Sequence, residues 1–331
     1  MPPSTIPWLT LRPEGLYCAP ADLYIDPRRA VERAAITHAH SDHARPGHRH
    51  VLASPETLLL MRARLGARAG GQRQALGRGE SVTLGGVRVS LVPAGHVLGS
   101  TQVVLDYAGQ RAVISGDYKR AADPTCAGFV PVACDLFVTE ATFALPVFRF
   151  PPAAREIARL LDSLTLFPGR THVLGCYSLG KGQRMIALLR AAGWDRPIFV
   201  HAALAGICAV YEACGVRLGP LRAANAASTA ELAGAIVLAP PGTTTEGWAG
   251  TPTDPVGAMA SGWMATRRHA RTRGGELPLV ISDHADWDEL TATIAETGAR
   301  EVWVTHGREE ALIHAAARRG IHARAPRTAD A

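Results

Sequence analysis

A dense run of potential metal ligands, His38, His40, Asp42 and His43, is the part of the sequence best suited to chemistry. It follows a short apolar stretch, residues 34–36, so we predict a loop at the end of a β-strand. Zinc binds histidine nitrogen and carboxylate oxygen at about 2.0–2.2 Å. His38 and His40 are two residues apart, so on an extended segment they point to the same side and can bind one ion. Asp42 and His43 can then face a second ion, and ions about 3.5–4 Å apart suit hydrolysis of phosphate esters or activated carbonyls.

Two more candidate ligands, His96 and Asp117, also follow strand-like segments. Each lies next to a glycine, which lets the backbone approach an ion closely. Asp117 has two carboxylate oxygens and can therefore bridge two ions. Asp26 ends the first strand-like segment, and we expect it to accept a hydrogen bond from a ligand histidine.

Three other residues, Glu140, His284 and His306, follow apolar runs in the same way. We expect all three to reach the same end of the sheets as the predicted metal ligands.

The first part of the chain is predicted to be rich in strands. Residues 81–92 and 101–115 each read as a β-hairpin around a glycine-containing turn, and residues 55–65 read as a helix. Many strands with few helices favour a β-sandwich core.

Helix-like and strand-like segments alternate after residue 150, which predicts a parallel α/β domain. Residues 267–275 are interpreted as an exposed link because they are rich in arginine and end in two glycines. A strand, a helix, a second strand and a last helix are predicted after this link.

Composition limits the possibilities further. A chain of 331 residues fits two domains, and a net charge of +6 permits a polyanionic partner without proving one. We expect neither a membrane span nor a secretory signal, because the sequence has no long apolar run and no apolar leader. The six cysteines include no Cys-x-x-Cys pair, which suggests buried thiols in a reducing cytoplasm.

In their order along the chain, these motifs resemble those of the metallo-β-lactamase superfamily. Glu140, His284 and His306 resemble the three additional motifs of its β-CASP nucleases, and the likeness covers nearly the whole chain. The resemblance implies an α/β fold, an αββα metallo-β-lactamase β-sandwich of residues 1–148 and 274–331, with an inserted α/β β-CASP cap domain of residues 149–273. Within the group, the chain most resembles bacterial ligase-associated DNA exonucleases, relatives of the DNA cross-link-repair exonucleases.

The resemblance also implies two Zn²⁺ ions, for which Mn²⁺ could substitute. The first ion would be held by His38, His40, His96 and Asp117. The second would be held by Asp42, His43, Asp117 and His306. The predicted catalytic residues are Asp42, Glu140 and His284, and His284 would be held by Glu140 and would pass a proton toward the leaving oxygen.

Ser178 and Lys181 lie just before a predicted helix, where unpaired N–H groups attract anions. We therefore predict that they bind a substrate phosphate. The alternative is an ordinary turn with a solvated lysine.

The function implied by the resemblance is a zinc-dependent nuclease of the cytoplasm, a 5′-to-3′ DNA exonuclease in DNA repair. DNA is favoured over RNA, and a DNA ligase or helicase is an expected partner by analogy alone. His306 keeps an RNA 3′-end processing or RNase J-like enzyme open, because this position is usually not histidine in the cross-link-repair branch.

Two other functions use the same metal run. A hydrolase of small esters, thioesters or lactams would leave Glu140, His284 and the inserted domain unexplained. A non-catalytic binding module would be expected to lack some of the ligands.

Overall fold

The computed structural model describes residues 6–243, 250–252 and 254–326. The chain divides into two compact units, unit 1 (Met1–Pro146 and His284–Ala331) and unit 2 (Val147–Asp283). The second boundary lies later than the one expected at residue 274, because the strand Leu277–Leu279 pairs in parallel with Val256–Ala260 of unit 2. The expected mixed α/β class with several sheets is confirmed.

Unit 1 contains two β-sheets. The first has, in spatial order, β1 (Leu9–Arg12), β2 (Gly15–Cys18), β3 (Leu23–Ile25), β4 (Arg33–Ala35), β5 (His50–Ala53) and β6 (Gln72–Ala75). The second contains β7 (Ser81–Leu84), β8 (Val87–Pro93), β9 (Thr101–Tyr107), β10 (Gln110–Ile114), β11 (Leu136–Ala141), β18 (Glu301–Gly307) and β19 (His322–Arg324). Its spatial order is β19-β18-β11-β10-β9-β8-β7. Both predicted hairpins are confirmed, as the antiparallel pairs β7–β8 and β9–β10.

The second sheet of unit 1 is buried on both faces. Alternation along β9 explains this, because Val103 and Leu105 enter a core shared with the first sheet, whereas Val104 enters a core on the opposite face. That opposite core is closed by Leu290 and Leu312, which lie on α7 (Trp287–Glu296) and α8 (Glu309–Ala317). The central strands of this sheet are therefore packed on both faces. This packing fixes the starting points of the loops that follow them.

The helix predicted over residues 55–65 is confirmed as α1 (Pro55–Leu65). Its start is fixed by Ser54, whose hydroxyl accepts a hydrogen bond from the backbone N–H of Thr57, and by proline at the first helical position. Its end is set by Gly66, which has a positive φ of 58°.

Unit 2 is a parallel α/β unit, as the alternation of elements predicts. Its sheet has the spatial order β14 (Leu221–Ala223), β13 (Ile198–Val200), β15 (Ile236–Ala239), β12 (His172–Gly175), β16 (Val256–Ala260) and β17 (Leu277–Leu279), and every pairing is parallel. Its helices are α2 (Ala153–Leu166), α3 (Lys181–Ala191), α4 (Ala202–Ala213), α5 (Thr229–Leu232) and α6 (Arg267–Arg273).

The segment predicted as an exposed link, residues 267–275, contains the helix α6 (Arg267–Arg273), which has no buried residue. Arginine and alanine are good helix formers, and this preference outweighs the high charge of the segment. Short 3₁₀ helices cover Gly66–Ala69, Ala224–Ala226 and Gly262–Ala265. None of the helices in the described ranges has both the length and the apolar character that crossing a membrane requires.

Candidate metal centre

Three loops of unit 1 bring the predicted ligands together, and each loop follows a strand. His38 comes shortly after β4, His96 after β8, and Asp117 after β10. Residue Thr37 joins two of these loops, since its carbonyl accepts a hydrogen bond from the backbone N–H of Thr101. Strands from both sheets therefore deliver their loops to one place.

Four ligand atoms, one each from His38, His40, His96 and Asp117, lie within 4.8 Å of one another. The distance from His38 Nε2 to His40 Nδ1 is 3.1 Å, and the distance from His96 Nε2 to His40 Nδ1 is 3.0 Å. Ligands on a tetrahedral ion with bonds of 2.0–2.1 Å are about 3.3 Å apart, so the spacing fits one such ion. The histidine and aspartate cluster is therefore a candidate site for a divalent metal.

The protonation of this cluster also suits a metal. Burial, together with the neighbouring His43, lowers the pKa of His38 well below its usual value, which leaves a neutral ring able to donate a lone pair. Burial would raise the pKa of Asp117, but His43 and His284 hold that pKa well below its usual range, so Asp117 is a carboxylate.

His43 lies between two carboxylates. Its Nδ1 is 2.7 Å from Asp26 Oδ2, and its Nε2 is 3.4 Å from Asp117 Oδ1. Because a carboxylate can only accept, Nδ1 donates to Asp26 and Nε2 is directed to the cluster. Burial would lower the pKa of His43, but Asp117 and Asp26 raise it well above its usual value, so a metal ion that binds Nε2 would have to displace a proton. His43 Nε2 is buried without a hydrogen-bond partner, as expected of an atom that binds a metal ion.

Asp26 also holds the loop that carries the histidine run. It accepts hydrogen bonds from the backbone N–H of Thr37 at 2.8 Å and from the hydroxyl of Thr37 at 2.6 Å. Asp26 has a positive φ of 44°, an unfavourable backbone conformation for a residue with a side chain. These contacts overcome that cost and fix the ring of His43.

Glu140 and His284 form a pair beside the cluster. Nδ1 of His284 donates to Glu140 Oε2 at 2.8 Å, while Glu140 Oε1 accepts the backbone N–H of Tyr118 at 2.7 Å. Glu140 is almost fully buried on β11, and the side chain of His284 is 23% exposed. His284 Nδ1 lies 4.0 Å from Asp117 Oδ2. The carboxylate therefore fixes the tautomer of a histidine at the edge of the metal cluster.

His306 reaches the site through a β-bulge. In the parallel pairing of β11 with β18, Glu140 is opposite Thr305 and Ala141 is opposite Gly307, so His306 is the extra residue. His306 has a positive φ of 54°, and its ring lies 5.0 Å from the ring of His43. Bulges turn a side chain out of its regular position in a strand. Here the bulge turns His306 toward His43.

Gly307→Ala is predicted to disrupt this bulge. A Cβ at Gly307 would lie 2.0 Å from the carbonyl oxygen of Ala141, so the backbone would have to move. We expect the free energy of unfolding to fall by about 1–3 kcal/mol and metal content to decrease because His306 moves. Chemical denaturation and metal analysis measure both effects. Gly128→Ala, where a Cβ meets nothing within 4 Å, is the control, and an equal stability of the two variants would contradict the prediction.

Asp42 is exposed, as His306 is, whereas most of the other predicted ligands are buried. Its side chain is 66% exposed, and its Oδ2 lies 3.7 Å from His43 Nε2. The group formed by Asp42, His43 and His306 is therefore more open than the group around His38.

Lys181 and Ser178 do not form an open anion site. The side chain of Lys181 is 3% exposed, and its Nζ donates to the carbonyl of Ile281 at 2.6 Å and pairs with Asp283 Oδ1 at 2.9 Å. Arg184 also pairs with Asp283 Oδ1, at 3.0 Å, and donates to the carbonyl of Ser282. The role of Ser178 and Lys181 in phosphate binding thus stays a prediction from sequence, whereas the contacts give Lys181 a structural role within unit 2.

Asp283→Ala is predicted to destabilise unit 2 strongly. It would leave the ammonium of Lys181 and the guanidinium of Arg184 without this buried counter-charge. Loss of one partner of a buried ion pair costs about 3–5 kcal/mol. Urea denaturation should reveal this loss, whereas Asp162→Ala, at an exposed position on α2, should change stability by less than about 0.5 kcal/mol. Similar curves for the two variants would show that the pair is not stabilising.

Several residues that hold the loops of the metal cluster in place could not be identified from the sequence around them. Arg64 on α1 donates to the carbonyl of Ala39 within the histidine run, and the hydroxyl of Ser100 accepts the backbone N–H of His96 at 3.0 Å. Lys119 pairs with Asp123 at 2.6 Å, with both side chains almost fully buried. One clue was available, since Lys119 and Lys181 are the only two lysines in a chain rich in arginine, and each forms a buried ion pair.

Comparison with curated proteins finds a relative that aligns with nearly the whole chain and others that align with about a third of it. A probable DNA ligase of Opitutus terrae is 30% identical over 326 residues, which is 96% of this chain and 31% of that protein. Endoribonuclease YSH1 of Saccharomyces cerevisiae is 28% identical over 141 residues, 39% of this chain and 18% of that protein. Endoribonuclease ysh1 of Emericella nidulans is 32% identical over 112 residues, 32% of this chain and 12% of that protein. The chain spans less than a third of the length of these relatives.

Among solved structures, a protein of unknown function from Enterococcus faecalis V583 aligns with a TM-score of 0.55 at 13% identity. The alignment covers 85% of this chain and 78% of that one, which shows a common fold. No model of a known protein family matches the sequence.

Proposed function

We propose that the chain belongs to the β-CASP group of the metallo-β-lactamase superfamily and is a metal-dependent nuclease that hydrolyses phosphodiester bonds. The observation that carries this proposal is the cluster of His38, His40, His96 and Asp117 with the Glu140–His284 pair at its edge. Metal ligands next to an oriented histidine are the parts that phosphodiester hydrolysis needs.

The proposed architecture follows the same family. Unit 1 would be the αββα metallo-β-lactamase domain and unit 2 the β-CASP cap, so residues 274–283, which include the strand Leu277–Leu279, would belong to the cap. The two sheets of unit 1 and the parallel sheet of unit 2 support this proposal.

We propose two zinc ions, one on His38, His40, His96 and Asp117 and one on Asp42, His43, Asp117 and His306. When bound, such ions neutralise charge on a phosphate and make water acidic enough to react at neutral pH. The orphaned Nε2 of His43 and the two differently directed oxygens of Asp117 support a second ion.

The chain's own residues supply the proton chemistry and the positioning. The carboxylate of Glu140 holds the proton on Nδ1 of His284. A second proton taken up from solvent on Nε2 would be the one donated toward the leaving oxygen, with Glu140 balancing the charge of the imidazolium. The hydrogen bond from Tyr118 keeps Glu140 in place. Asp26 would orient His43 through Nδ1.

For the substrate, we propose DNA cleaved from the 5′ end, in DNA repair in the cytoplasm. Support comes from the relative named a probable DNA ligase, which aligns with 96% of this chain. RNA is the second candidate because the endoribonucleases are similar to part of this chain. The match to the yeast protein covers 39% of this chain. A DNA ligase partner is proposed from the relative named a probable DNA ligase, and a helicase partner is proposed by analogy alone.

The decisive experiment compares matched DNA and RNA strands that carry a label at either the 5′ or the 3′ end. A time course with added zinc or manganese should release mononucleotides from 5′-labelled DNA first. Early internal cuts in RNA would instead support the endoribonuclease alternative. The absence of hydrolysis of either strand, and of a generic phosphodiester, by metal-loaded protein would refute the proposed function.

A further inference from the structure

Helix α6 of unit 2 is an exposed and strongly basic surface. Its seven residues, Arg267–Arg273, include no buried residue and no acidic residue. Four of them are exposed arginines, Arg267, Arg268, Arg271 and Arg273. In the ranges that the structure describes, none of these four guanidinium groups takes part in an ion pair. We call this surface, together with Trp263, the arginine–tryptophan surface.

The charges on α6 oppose its stability as an isolated helix. Arg267 and Arg271 are four residues apart and Arg268 and Arg271 are three apart, so like charges are neighbours on the helix surface. Arg267 and Arg268 also lie in the first turn, where the helix dipole disfavours positive charge. A polyanion bound along the helix would offset both effects.

An aromatic side chain lies directly before this helix. Trp263, in the 3₁₀ helix Gly262–Ala265, is 37% exposed. Its ring packs edge-to-face on Phe148 at 5.4 Å and lies 5.2 Å from the ring of His269 on α6. The hydroxyl of Thr266, which donates to the carbonyl of Trp263, is also 2.8 Å from Nδ1 of His269. A partly exposed indole is therefore fixed beside the arginines.

We propose that the arginine–tryptophan surface binds a single-stranded segment of the nucleic-acid substrate. The arginines would contact successive phosphates, and Trp263 would stack on an unpaired base. Positive charge alone would suit any polyanion, but a fixed aromatic face favours a ligand with exposed bases. This inference rests on the proposed nuclease function and adds a preference for unpaired strands.

The first test compares two variants with the same change in charge. One variant replaces Arg267, Arg268, Arg271 and Arg273 by glutamine, which keeps helix propensity. The control replaces four exposed arginines on separate elements of unit 1, Arg62, Arg78, Arg88 and Arg318. The probe is a fluorescent, phosphorothioate-linked strand of about 20 nucleotides, and binding is measured by anisotropy across a range of salt concentrations.

We expect the α6 variant to bind the strand about 10²-fold more weakly at low salt. The slope of log affinity against log salt should fall by about 0.7 for each lost phosphate contact. The control should change affinity by no more than about twofold. Equal losses in the two variants would overturn the proposal, because the effect would then come from net charge alone.

The second test concerns the tryptophan. Trp263→Ala should weaken binding of the single strand by about tenfold and leave binding of a blunt duplex unchanged, and Trp263→Phe should restore most of the loss. Equal effects on strand and duplex would overturn the stacking contact. Equally effective competition by polyglutamate of matched charge would indicate an acidic protein partner and would also overturn the proposal.

A small phosphodiester, bis(p-nitrophenyl) phosphate, separates this inference from the proposed function. The α6 and Trp263 variants should hydrolyse it at the wild-type rate, because their substitutions are in unit 2 and the metal ligands are in unit 1. The control variant should do so as well, because its four arginines are exposed and are not among the metal ligands. An inactive wild-type protein would refute the nuclease proposal itself. An active wild-type protein whose α6 variant binds strands normally would refute only the arginine–tryptophan surface.

Discussion

Asp117→Ala is expected to remove bound metal and to reduce phosphodiester hydrolysis by at least about 10³-fold, because metal ions supply several kcal/mol of transition-state stabilisation. The position of the carboxylate explains the size of the effect. Asp117 Oδ2 lies 3.5 Å from His38 Nε2 and 3.8 Å from His96 Nε2, whereas Oδ1 lies 3.4 Å from His43 Nε2. The two oxygens therefore face two different sets of histidines, as a bridging ligand must.

Asp117→Asn makes this test sharper. Asparagine keeps one oxygen that can bind a metal ion but has an amide NH₂ group in place of the other. We therefore expect one of the two ions to be lost and the metal content to fall by about half, whereas alanine should abolish metal binding. Metal analysis after gel filtration and rates on a labelled strand provide both measurements. Asp106→Ala is the control, because Asp106 forms a partly exposed pair with Arg111 and should keep full activity. Wild-type metal content together with wild-type rates in Asp117→Ala would refute the proposed centre.

His284→Ala is expected to give the opposite pattern, with metal retained and turnover reduced. His284 is outside the four ligands around His38 and forms a second group of possible ligands with Asp117 and Glu140. We expect it to act as a proton donor because its Nδ1 is held by Glu140. Loss of a positioned proton donor typically costs about 10²–10⁴ in rate. We therefore expect kcat to fall within this range while the metal content stays at the wild-type value.

Glu140→Gln separates the donor from its support. Glutamine can still accept from His284 at one oxygen, so the ring stays near its place, and we expect a smaller loss, about 10–100-fold. His314→Ala, at an exposed position on α8, is the matched histidine control. If His284→Ala lost its metal along with its activity, His284 would be a ligand rather than a proton donor.

Much of the centre could be predicted because its residues follow strands. His38, His96 and Asp117 each come shortly after an apolar run, and parallel or sandwiched strands bring such loops together. The dense histidine run added a local signal that does not depend on distant contacts. The helix at residues 55–65 was predictable for a similar reason, since Ser54, Pro55 and Gly66 mark its ends locally.

The features that sequence reasoning missed depend on distant partners. Lys181 and Asp283 are 102 positions apart, so neither the predicted phosphate contact nor the alternative of a solvated lysine included the buried ion pair that they form. The bulge at His306 arises from pairing with Glu140 and Ala141 on another strand, and only Gly307 marks it locally. The segment of α6 is interpreted from the sequence as a link because it is rich in arginine. The helix propensities of arginine and alanine favour the helix that it forms.

The uneven enclosure of the ligands has a kinetic consequence. His38 and His96 are sealed from solvent, whereas Asp42 and His306 are open to it. An ion held by the sealed rings would be slow to leave, since water and chelators reach it poorly, and an ion held by the open pair would exchange readily. The two positions would therefore empty one after the other, with a half-loaded protein as a long-lived species during dialysis.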